Sequence, residues 1–544
     1  MQLSYNIIIY CIQHIRPIDG YFCPFFLFFN QQGLVFTHIS DSRFKLVPKI
    51  KDMASHLPIL SVTQMRELDK RTVVEDIPLL TLMENAGRSA FEFYLEKWDD
   101  SPMHLMIGKG HNGADGIVMA RWAAVHGINA TLYGQKNELG KIAKIQWRLA
   151  EKEGVKWSKK DYENLGDKNG VVVDCLLGTG TKGKPKESYS AWISAANKAT
   201  FKGRMALDSP SGINMDDGSK EGVAFKADLT VTFAYLKPGL LLNPGRKYSG
   251  EICIAYIGIP TKLDFKPMGY MPNKSSIKNM LIDFPNDGHK GTAGRLGLWA
   301  GSKKYPGAAR LAIEGALRSG VGVVHWIGES KDVPPEIVRE TESISNVRKM
   351  NAWTIGPGLG RNATIAKTIK SQLQKINCPA VVDADALTAF SGKENPEKRL
   401  QGLGSSIGER IITPHHSEAA SLLCGDVKRI ESNRVEAVKT ISQMSQAITL
   451  LKGSPTLISS KSEPIFFIDS GNENLATGGS GDVLSGLIGG LLAQTINPLH
   501  ATIIGAWIHG RSGSILSEKG IPRQSVSASD IAESIKLAWM ELNV

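Results

Sequence analysis

The segment NLATGGSGDVLSG at positions 474–486 places three glycines and a serine directly before Asp482, where an apolar run with helical spacing begins. Consecutive backbone N–H groups at a helix start favour a phosphoryl group, and positions 478–481 would supply them. Asp482 would lie in the first helical turn, where its carboxylate could accept the proton of a hydroxyl that attacks phosphorus. Asp482 could instead only complement the helix dipole, which is worth ~0.3–1 kcal/mol. A dipole partner does not need three preceding glycines, so we predict phosphoryl transfer.

Other polar residues of the second half fit the same chemistry. The stretch LLKGSPTLI at 450–458 predicts a strand, a tight turn and a second strand, which suits the binding of a nucleotide through the backbone. Asp383 and Asp385 follow a buried strand, where magnesium or water could be held. His415 is a candidate ligand contact, and Glu418, three residues later, is a candidate helix cap.

The first half carries a second polar constellation. The glycine-rich stretch GKGHNGADG at 108–116 follows a predicted strand and opens a helix, but it is neither a dinucleotide fingerprint nor a P-loop. Asp174 ends one predicted strand, and Asp208 and Ser211 follow another. The carboxyl ends of strands line the ligand crevice of a parallel sheet. Asn112, Asp174 and Ser211 are therefore candidate oxygen ligands for a hard cation, although each alone could be a helix cap or a turn residue.

Short apolar runs alternate with amphipathic ones from residue 60, which predicts a parallel sheet with helices on both faces, and a second alternating series follows in the second half. Predicted strands of the first series lie at 103–108, 129–134, 170–178, 204–208 and 228–234. Those of the second lie at 295–301, 322–328, 352–356, 379–384, 410–414, 447–453 and 464–469, and three helices follow from about 480 to 540. Prolines and turn residues at 259–288 indicate a boundary near 282. We predict an α/β protein with an extra segment at 1–52 and domains at 53–282 and 283–544.

Composition excludes several functional classes. The net charge of +11 is spread over 544 residues without a block of like charges, so nucleic-acid binding is not expected. The six cysteines lie far apart, which argues against a disulfide framework or a zinc site and favours the cytoplasm. The apolar run at 21–29 is shorter than the ~20 residues of a membrane span. Residues 1–52 are interpreted as a targeting peptide or as sequence upstream of the native start.

The motifs of the first half resemble the NAD(P)H-hydrate epimerase family over roughly residues 60–260. They are LMENAG (82–87), GKGHNGADG, DCLLGTG (174–180) and DSPSG (208–212). The resemblance implies that potassium is held by Asn112, Asp174 and Ser211, and that Asp208 is the candidate proton carrier. It also implies a substrate-binding set of His111, Asn112, Gly113, Ala114, Asp115, Gly178, Thr179, Gly180, Thr181, Lys182, Gly183, Lys184 and Asp208. His111 replaces the family's usual Asn and Ala114 its usual Gly; a positive φ at position 114 would cost alanine ~1 kcal/mol or more.

The second half is similar to the ribokinase-like family, and within it to the ADP- or ATP-dependent NAD(P)H-hydrate dehydratases, over roughly residues 286–542. HKGTAGRLGLWAGS, GPGLG, DADAL, TPHHSEAASLL, LKGSPT and the glycine-rich segment carry this resemblance. It implies an α/β/α sandwich after an N-terminal Rossmann-like domain, with substrate contacts at Ala308, Gly358, His415 and Asp482. The implied nucleotide-binding residues are Lys452, Gly453, Ser454, Pro455, Thr456, Gly478, Gly479, Ser480 and Gly481. Where the family usually has Pro-Gly after the histidine, this chain has His416-Ser417.

Together the two resemblances imply one enzyme with two activities. The first half would interconvert R and S hydrates of NADH and NADPH with K⁺. The second would dehydrate the S form with Mg²⁺ and ADP or ATP, with Asp482 as the base. The single-chain arrangement is most familiar in prokaryotes, which favours ADP, and homo-oligomers are expected. The alternative is a ribokinase-like kinase of a vitamin-precursor alcohol whose first half is a non-catalytic binding module.

Overall fold

The computed structural model describes residues 28–30 and 33–35, and residues 56–543 except 76, 159–164, 166–168, 283–286, 330–332, 342–343, 345–348 and 405–407. The predicted extra segment at 1–52 therefore lies outside the described residues, apart from two short strands. These are β1 (Phe28–Asn30) and β2 (Gly33–Val35), which pair antiparallel with each other. Among the described residues, no helix is long and apolar enough to cross a membrane.

The remaining strands fall into two sheets. In chain order they are β3 (Leu57–Ile59), β4 (Met103–Ile107), β5 (Ala130–Tyr133), β6 (Lys156–Trp157), β7 (Val171–Cys175), β8 (Gly203–Leu207), β9 (Leu229–Phe233), β10 (Glu251–Ala255), β11 (Gly269–Met271), β12 (Arg295–Trp299), β13 (Val323–Ile327), β14 (Val338–Arg339), β15 (Ala352–Ile355), β16 (Ala380–Val382), β17 (Arg410–Ile412), β18 (Ile448–Leu451), β19 (Thr456–Ser459) and β20 (Ile465–Ile468).

The helices lie between these strands and after them. In chain order they are α1 (Val62–Glu75), α2 (Leu79–Trp98), α3 (His111–Val125), α4 (Lys141–Lys152), α5 (Glu187–Lys198), α6 (Pro238–Leu241), α7 (Arg246–Ser249), α8 (Lys274–Met280), α9 (Pro306–Leu317), α10 (Ala363–Leu373), α11 (Asp385–Thr388), α12 (Pro396–Gly404), α13 (His416–Leu423), α14 (Val427–Ser432), α15 (Arg434–Ser445), α16 (Ser480–Ala493), α17 (Pro498–Glu518) and α18 (Ala528–Glu541).

The first sheet has the order β10-β9-β8-β7-β4-β5-β6, and all its pairings are parallel. Every residue of β4, β7 and β9 is buried. Strands buried on both faces have such continuous apolar sequences, because helices cover the two sides of a parallel sheet. The five strands predicted for this half are confirmed, and β10 and β6 are additional strands at the two edges of the sheet.

The second sheet has eleven strands, in the order β14-β13-β12-β15-β16-β17-β18-β19-β20-β11-β3. The pairings from β14 to β18 are parallel, whereas β18–β19 and β19–β20 are antiparallel. Helix α16 is apolar almost all round and buried from Val483 onward, packed against α9 and α17. The predicted strands of this half and its three closing helices are confirmed.

Two short strands that precede residue 283 belong to the second sheet. β11 pairs in parallel with β20, Gly269 opposite Ile465, and antiparallel with β3, Gly269 opposite Ile59. Leu57 and Ile59 also share one apolar cluster with Leu236 of the first half and with residues of the second half. The predicted boundary near 282 remains a prediction, but a cut there would remove two strands from the second sheet.

Polar contacts also join the two halves. The Asn243 side-chain amide donates to the carbonyl of Ser454 at 3.1 Å, and Arg246 Nε lies 3.7 Å from Asp469 Oδ2. Ser454 belongs to the turn predicted to bind a nucleotide. The halves are therefore joined through a shared core and next to a candidate site.

Candidate active sites

The first candidate site lies where three neighbouring strands of the parallel sheet end. Asp174 lies in β7, Asp208 directly follows β8, and Asn112 is the second residue of α3, which follows β4. Because β4, β7 and β8 are adjacent and parallel, their carboxyl ends lie at the same edge of the sheet. The structure thus brings together the three chain segments whose residues the sequence analysis selected.

Asp174 and Ser211 form a compact hydrogen-bonded pair. The Ser211 N–H donates to Asp174 Oδ2 and the Ser211 hydroxyl to Oδ1, both at 2.7 Å. The Leu176 N–H also donates to Oδ1, at 3.1 Å. Burial raises the pKa of Asp174 to about 6, although these hydrogen bonds favour the charged form. A buried carboxylate that is fixed in this way is suited to face a cation.

The side-chain oxygen of Asn112 is a candidate ligand for a cation. Its Nδ2 donates to the carbonyl oxygens of Leu177 and Leu207, at 2.9 and 3.1 Å, and the Leu177 N–H donates to Ser211 Oγ at 3.0 Å. Asn112 Oδ1 is buried without a hydrogen-bond partner among the described residues. Unpaired buried acceptors are costly, so this atom fits a bound cation beside Ser211 and Asp174.

Asp208 is paired with a lysine that no sequence motif indicated. Lys237 Nζ lies 2.8 Å from Asp208 Oδ1. Lys237 follows β9, three residues beyond Ala234, and lies within a segment that the sequence analysis left without a function. The contact joins residues 29 apart in sequence, so local spacing gave no signal for it.

Burial and the charge of Asp208 raise the pKa of two further carboxyl groups, Asp115 and Asp69. Burial raises the pKa of Asp115 well above its usual range, and the charges of Asp208 and Asp69 add to the effect. Burial likewise raises the pKa of Asp69 to about 6, opposed by Lys237 and supported by Asp208. Asp115 was among the predicted residues, whereas Asp69, on α1, was missed because the helical pattern there gives no sign of a site.

The predicted substrate segment 178–184 begins beside the site. A Cβ atom added to Gly178 would lie 3.5 Å from the Asn112 Cβ and 3.8 Å from Asp208 Oδ2. Further along, Lys182 Nζ lies 3.5 Å from Asp216 Oδ2. The Gly178 end therefore contacts the catalytic candidates, and the role of residues 179–184 stays a prediction.

The two departures from the epimerase pattern lie at the start of α3. His111 is its first residue and is exposed, and Ala114 is the fourth and is 1% exposed. Ala114 is helical rather than in the positive-φ region, and its N–H donates to the Gly110 carbonyl at 3.2 Å. The condition for strain at position 114 is therefore not met.

We expect Ala114→Gly to destabilise the first half rather than to improve it. Glycine inside a helix costs roughly 0.5–1 kcal/mol relative to alanine, and the substitution also removes a buried methyl group. The measurement is denaturant unfolding, followed with epimerisation as the signal of the first half, and Ala124→Gly in the same helix is the control. A faster or more stable Ala114→Gly variant would contradict the prediction.

The second candidate site surrounds the start of α16. The helix begins at Ser480, its N-cap Gly479 has φ +89°, and Asp482 lies in the first turn. The N–H groups of Ser480 and Asp482 donate to the carbonyls of Thr477 and Gly479, at 3.3 and 3.0 Å. The backbone N–H of Ser480 is thus occupied within the turn, whereas the N–H groups of Gly478, Gly479 and Gly481 remain candidates for binding a phosphoryl group.

Lys452 places a positive charge among three carboxyl groups, those of Asp383, Glu418 and Asp482. Its Nζ lies 2.7 Å from Asp383 Oδ1, and a Cβ added to Gly481 would lie 3.1 Å from the same nitrogen. Burial alone would lower the pKa of Lys452, but the charges of Asp383, Glu418 and Asp482 raise it. The lysine predicted to bind the nucleotide therefore faces the carboxylates beside Asp482.

Asp482 has the electrostatics of a general base that works near neutral pH. Burial, together with the negative charges of Asp383, Asp385 and Glu418, raises the pKa of Asp482 to about 7, although Lys452 opposes this. A general base is most effective when its pKa lies near the working pH. A surface aspartate that only complemented a helix dipole would keep an ordinary pKa, so the structure favours the catalytic interpretation.

His415 and Glu418 form the start of α13. The His415 N–H donates to Glu418 Oε2 at 2.9 Å, and the N–H groups of Ser417 and Glu418 donate to His415 Nδ1, both at 3.2 Å. This capping box confirms the prediction that Glu418 is a helix cap. Because Nδ1 accepts these bonds, neutral His415 carries its proton on Nε2. Burial also raises the pKa of Glu418 to about 7.

Gly358 and Ala308, the predicted substrate contacts, lie side by side. Gly358 has φ +66°, and a Cβ atom there would lie 2.8 Å from the Ala308 Cβ. Only glycine fits both the conformation and the close approach. Nearby, Arg361 Nε donates to Asp385 Oδ1 at 2.7 Å and the Gly360 N–H donates to Asp385 Oδ2 at 2.8 Å. Arg361, whose side chain is mostly exposed, was not selected from the sequence.

The turn of residues 452–456 is held by a buried arginine. Arg434 donates to the carbonyls of Ser454 and Pro455, at 3.1 and 2.5 Å. Gly453 has φ +144°, and an added Cβ would lie 2.9 Å from His416 Nε2. Arg434, fixed by α15, was missed because its partners are main-chain atoms that a motif does not reveal.

Both halves of the chain match known families. Residues 79–239 match the model described as the YjeF-related protein N-terminus, and residues 296–537 match that of NAD(P)H-hydrate dehydratase. The solved ADP/ATP-dependent NAD(P)H-hydrate dehydratase of Bacillus subtilis, co-crystallised with ATP and Mg²⁺, is 26% identical and covers 50% of this chain and 97% of that chain, with a TM-score of 0.45.

Relatives that contain both halves extend over most of the chain. The bifunctional NAD(P)H-hydrate repair enzyme of Coxiella burnetii is 34% identical over 84% of this chain and 94% of its own length. That of Escherichia coli is 33% identical over 81% of this chain and 86% of its own length. The alternative of a vitamin-precursor kinase with a non-catalytic first half is not favoured, because the relatives share both halves. The chain belongs to the family of bifunctional NAD(P)H-hydrate repair enzymes.

Proposed function

We propose that this chain repairs hydrated NADH and NADPH in two steps. The first half interconverts the R and S hydrates, and the second dehydrates the S hydrate at the expense of ADP or ATP, with ADP expected as the preferred nucleotide. The observation that supports this most is that one chain of this family carries both the Asn112–Asp174–Ser211 site and the Asp482 site. Homo-oligomers and a cytoplasmic location stay predictions.

In the dehydration step, Asp482 removes the proton of the C6 hydroxyl. The hydroxyl oxygen then bonds to the terminal phosphorus of the nucleotide, and the bond from phosphorus to the departing nucleotide oxygen breaks. Phosphate leaves C6 as the lone pair of the ring nitrogen forms the C=N bond, and loss of the C5 proton restores the reduced nicotinamide. A poor leaving group, hydroxide, is in this way exchanged for a good one.

In the proposed epimerisation, C6 loses and regains its oxygen. The hydroxyl leaves as water after it gains a proton, the ring nitrogen lone pair forms a C=N bond, and water adds to the other face and releases a proton. Asp208 is the proposed proton carrier, and its Oδ2 lies nearest the Gly178 end of the substrate segment. Burial raises the pKa of the neighbouring Asp115 well above its usual range, and the charge of Asp208 adds to the effect, so Asp115 is a second candidate carboxyl group for proton transfer.

The chain offers oxygen atoms for the two expected cations. No group of three His, Cys, Asp or Glu in the described part of the chain could hold a metal ion by itself. Mg²⁺ is commonly bound by one or two carboxylates and substrate phosphates, and Asp383 Oδ2 is buried without a hydrogen-bond partner among the described residues. When bound, Mg²⁺ would neutralise phosphate charge. K⁺ would be held by Asn112, Asp174 and Ser211.

Ser211→Ala should weaken the dependence on K⁺. The loss of one oxygen ligand, worth about 1.4 kcal/mol, would raise the half-saturating KCl concentration roughly tenfold. The measurement is the epimerisation rate against KCl, with choline chloride keeping the ionic strength constant. Ser249→Ala, which removes another buried hydroxyl of the same half, is the control. An unchanged KCl requirement in Ser211→Ala would contradict the proposed site.

The full chain is needed to test the whole proposal, because the second sheet contains β3 and β11. Asp482→Asn should epimerise without dehydrating, and Asp208→Asn should dehydrate only the S hydrate. A mixture of the two variants should restore the absorbance of reduced nicotinamide from pure R hydrate, with ADP or ATP present. Phosphorylation of a pyrimidine or thiazole alcohol, without repair of either hydrate, would overturn the proposal.

A further inference from the structure

The ammonium group of Lys237 is fully used inside the protein. Lys237 is 1% exposed, and its Nζ donates to Asp208 Oδ1 at 2.8 Å, to Thr232 Oγ1 at 2.9 Å and to the Phe233 carbonyl at 2.9 Å. Lysine is almost never fully buried unless it is paired. With three hydrogens and three acceptors, Lys237 has no further proton to offer a substrate, so any effect on the reaction must pass through Asp208.

Asp208 is held in an unusual backbone conformation. Its φ is +59°, in the left-handed region that non-glycine residues rarely adopt. Its N–H donates to the Val231 carbonyl at 2.7 Å, and the Phe233 N–H approaches its Oδ1 at 3.4 Å. Such strained residues persist only where the surroundings fix them, and they cluster at functional sites.

The two carboxylate oxygens of Asp208 have different surroundings. Oδ1 contacts Lys237 and the end of β9, whereas Oδ2 lies next to Gly178, where an added Cβ would be 3.8 Å away and also 3.5 Å from the Asn112 Cβ. One oxygen is thus bound by the scaffold, and the other lies beside the segment predicted to bind substrate. Rotation of the carboxylate would break the contact with the lysine.

We propose that Lys237 is a positioning residue for epimerisation, which fixes the Asp208 carboxylate so that Oδ2 faces the substrate. This inference rests on the proposed epimerase function of the first half. Lys237 also supplies a positive charge against two acidic groups, Asp208 after β8 and Asp69 on α1, and both of these interact in turn with Asp115 on α3. Breaking a buried ion pair by removal of one partner leaves an uncompensated charge.

A merely structural role would give different results from a positioning role. Lys237→Met keeps a side chain of similar length without the charge, and Lys237→Ala leaves a space that an added alkylammonium ion can fill. We expect Lys237→Met to lower the kcat of epimerisation roughly 10²-fold, as the loss of aligned proton transfer does, with little change in KM. Ethylammonium or propylammonium should restore a large part of the kcat of Lys237→Ala, and choline at equal concentration should not.

The second half of the same chain controls for folding. Dehydration of S hydrate should proceed at the unsubstituted rate in both variants, since its site lies on the other sheet. Lys202→Met is the matched substitution, because the Lys202 ammonium of the same half donates to Ser101 Oγ away from the site; it should epimerise normally.

The outcomes separate this inference from the proposed function. If the unsubstituted chain does not epimerise the hydrates, the proposed function of the first half is wrong. If it does and Lys237→Met epimerises as fast, the positioning role is overturned. If an alkylammonium restores the thermal stability of Lys237→Ala but not its kcat, Lys237 is only a structural partner and the proposal is likewise overturned.

Discussion

Asp482→Asn should abolish dehydration and leave nucleotide binding intact. Asparagine keeps the shape of the side chain but cannot accept the proton of the C6 hydroxyl, and loss of a general base costs roughly 10²–10⁴-fold in turnover. The pKa of Asp482, raised to about 7 by burial and by its acidic neighbours, also predicts a pH profile. Below pH 7 the carboxyl group is protonated and cannot act as a base, so dehydration should fall towards acid pH.

The measurements are single-turnover dehydration of S hydrate across pH and the binding of ADP and ATP by calorimetry. Asp469→Asn is the matched control, because Asp469 is another carboxyl of the second half whose pKa is raised by burial, outside the Asp482 site. It should retain the dehydration rate and its pH dependence. Turnover of Asp482→Asn above a tenth of the unsubstituted rate would refute the assignment of the base.

The regular elements were predictable because each depends on local sequence. The buried strands β4 and β7 are mostly apolar runs, and a glycine-rich stretch marks the start of α16. The capping box of His415 and Glu418 was predictable for the same reason, since its two members are three residues apart. These features need no knowledge of tertiary contacts.

Features that depend on distant pairing were not predictable. β3 and β11 have three residues each, too few to show a period, and they are strands because they extend a sheet built mostly from the other half. Lys237 was missed because its acceptor, Asp208, follows a different strand. Arg434 was missed because it binds main-chain carbonyls of the 452–456 turn.

The phosphoryl-binding N–H groups predicted at positions 478–481 could not be assigned one by one from the local sequence. The sequence placed positions 478–481 before the helix, but the helix begins at Ser480, and the Ser480 N–H is already bound to the Thr477 carbonyl. The pKa of Asp482 depends on Asp383, Asp385 and Glu418, which come from different segments. Motif spacing selected Asp482 as the candidate base, and only the packed structure explains its raised pKa.

Lys452→Met is the second substitution that we expect to slow dehydration strongly. Lys452 Nζ contacts Asp383, which is 1% exposed, and its charge lowers the pKa of Asp482. Without it, the pKa of Asp482 rises above 7, so the pH at which dehydration begins should move upward. We expect turnover at neutral pH to fall at least roughly 10²-fold and nucleotide affinity to decrease, while epimerisation is unchanged. Lys536→Met, which breaks an exposed ion pair with Glu533, should change neither activity.

Loss of Lys452 also leaves a buried carboxylate without its partner, which destabilises proteins by about 3–5 kcal/mol. The double variant Lys452→Met with Asp383→Asn removes both charges and should recover much of the lost stability, because residues in contact are strongly coupled. Because Asp383 is also the candidate Mg²⁺ ligand, the single variant Asp383→Asn is the reference for turnover. If Lys452 only balanced Asp383, the double variant would dehydrate the hydrate as fast as Asp383→Asn. If Lys452 acts on the nucleotide phosphates and on Asp482, as we expect, the double variant folds stably and dehydrates the hydrate more slowly than Asp383→Asn.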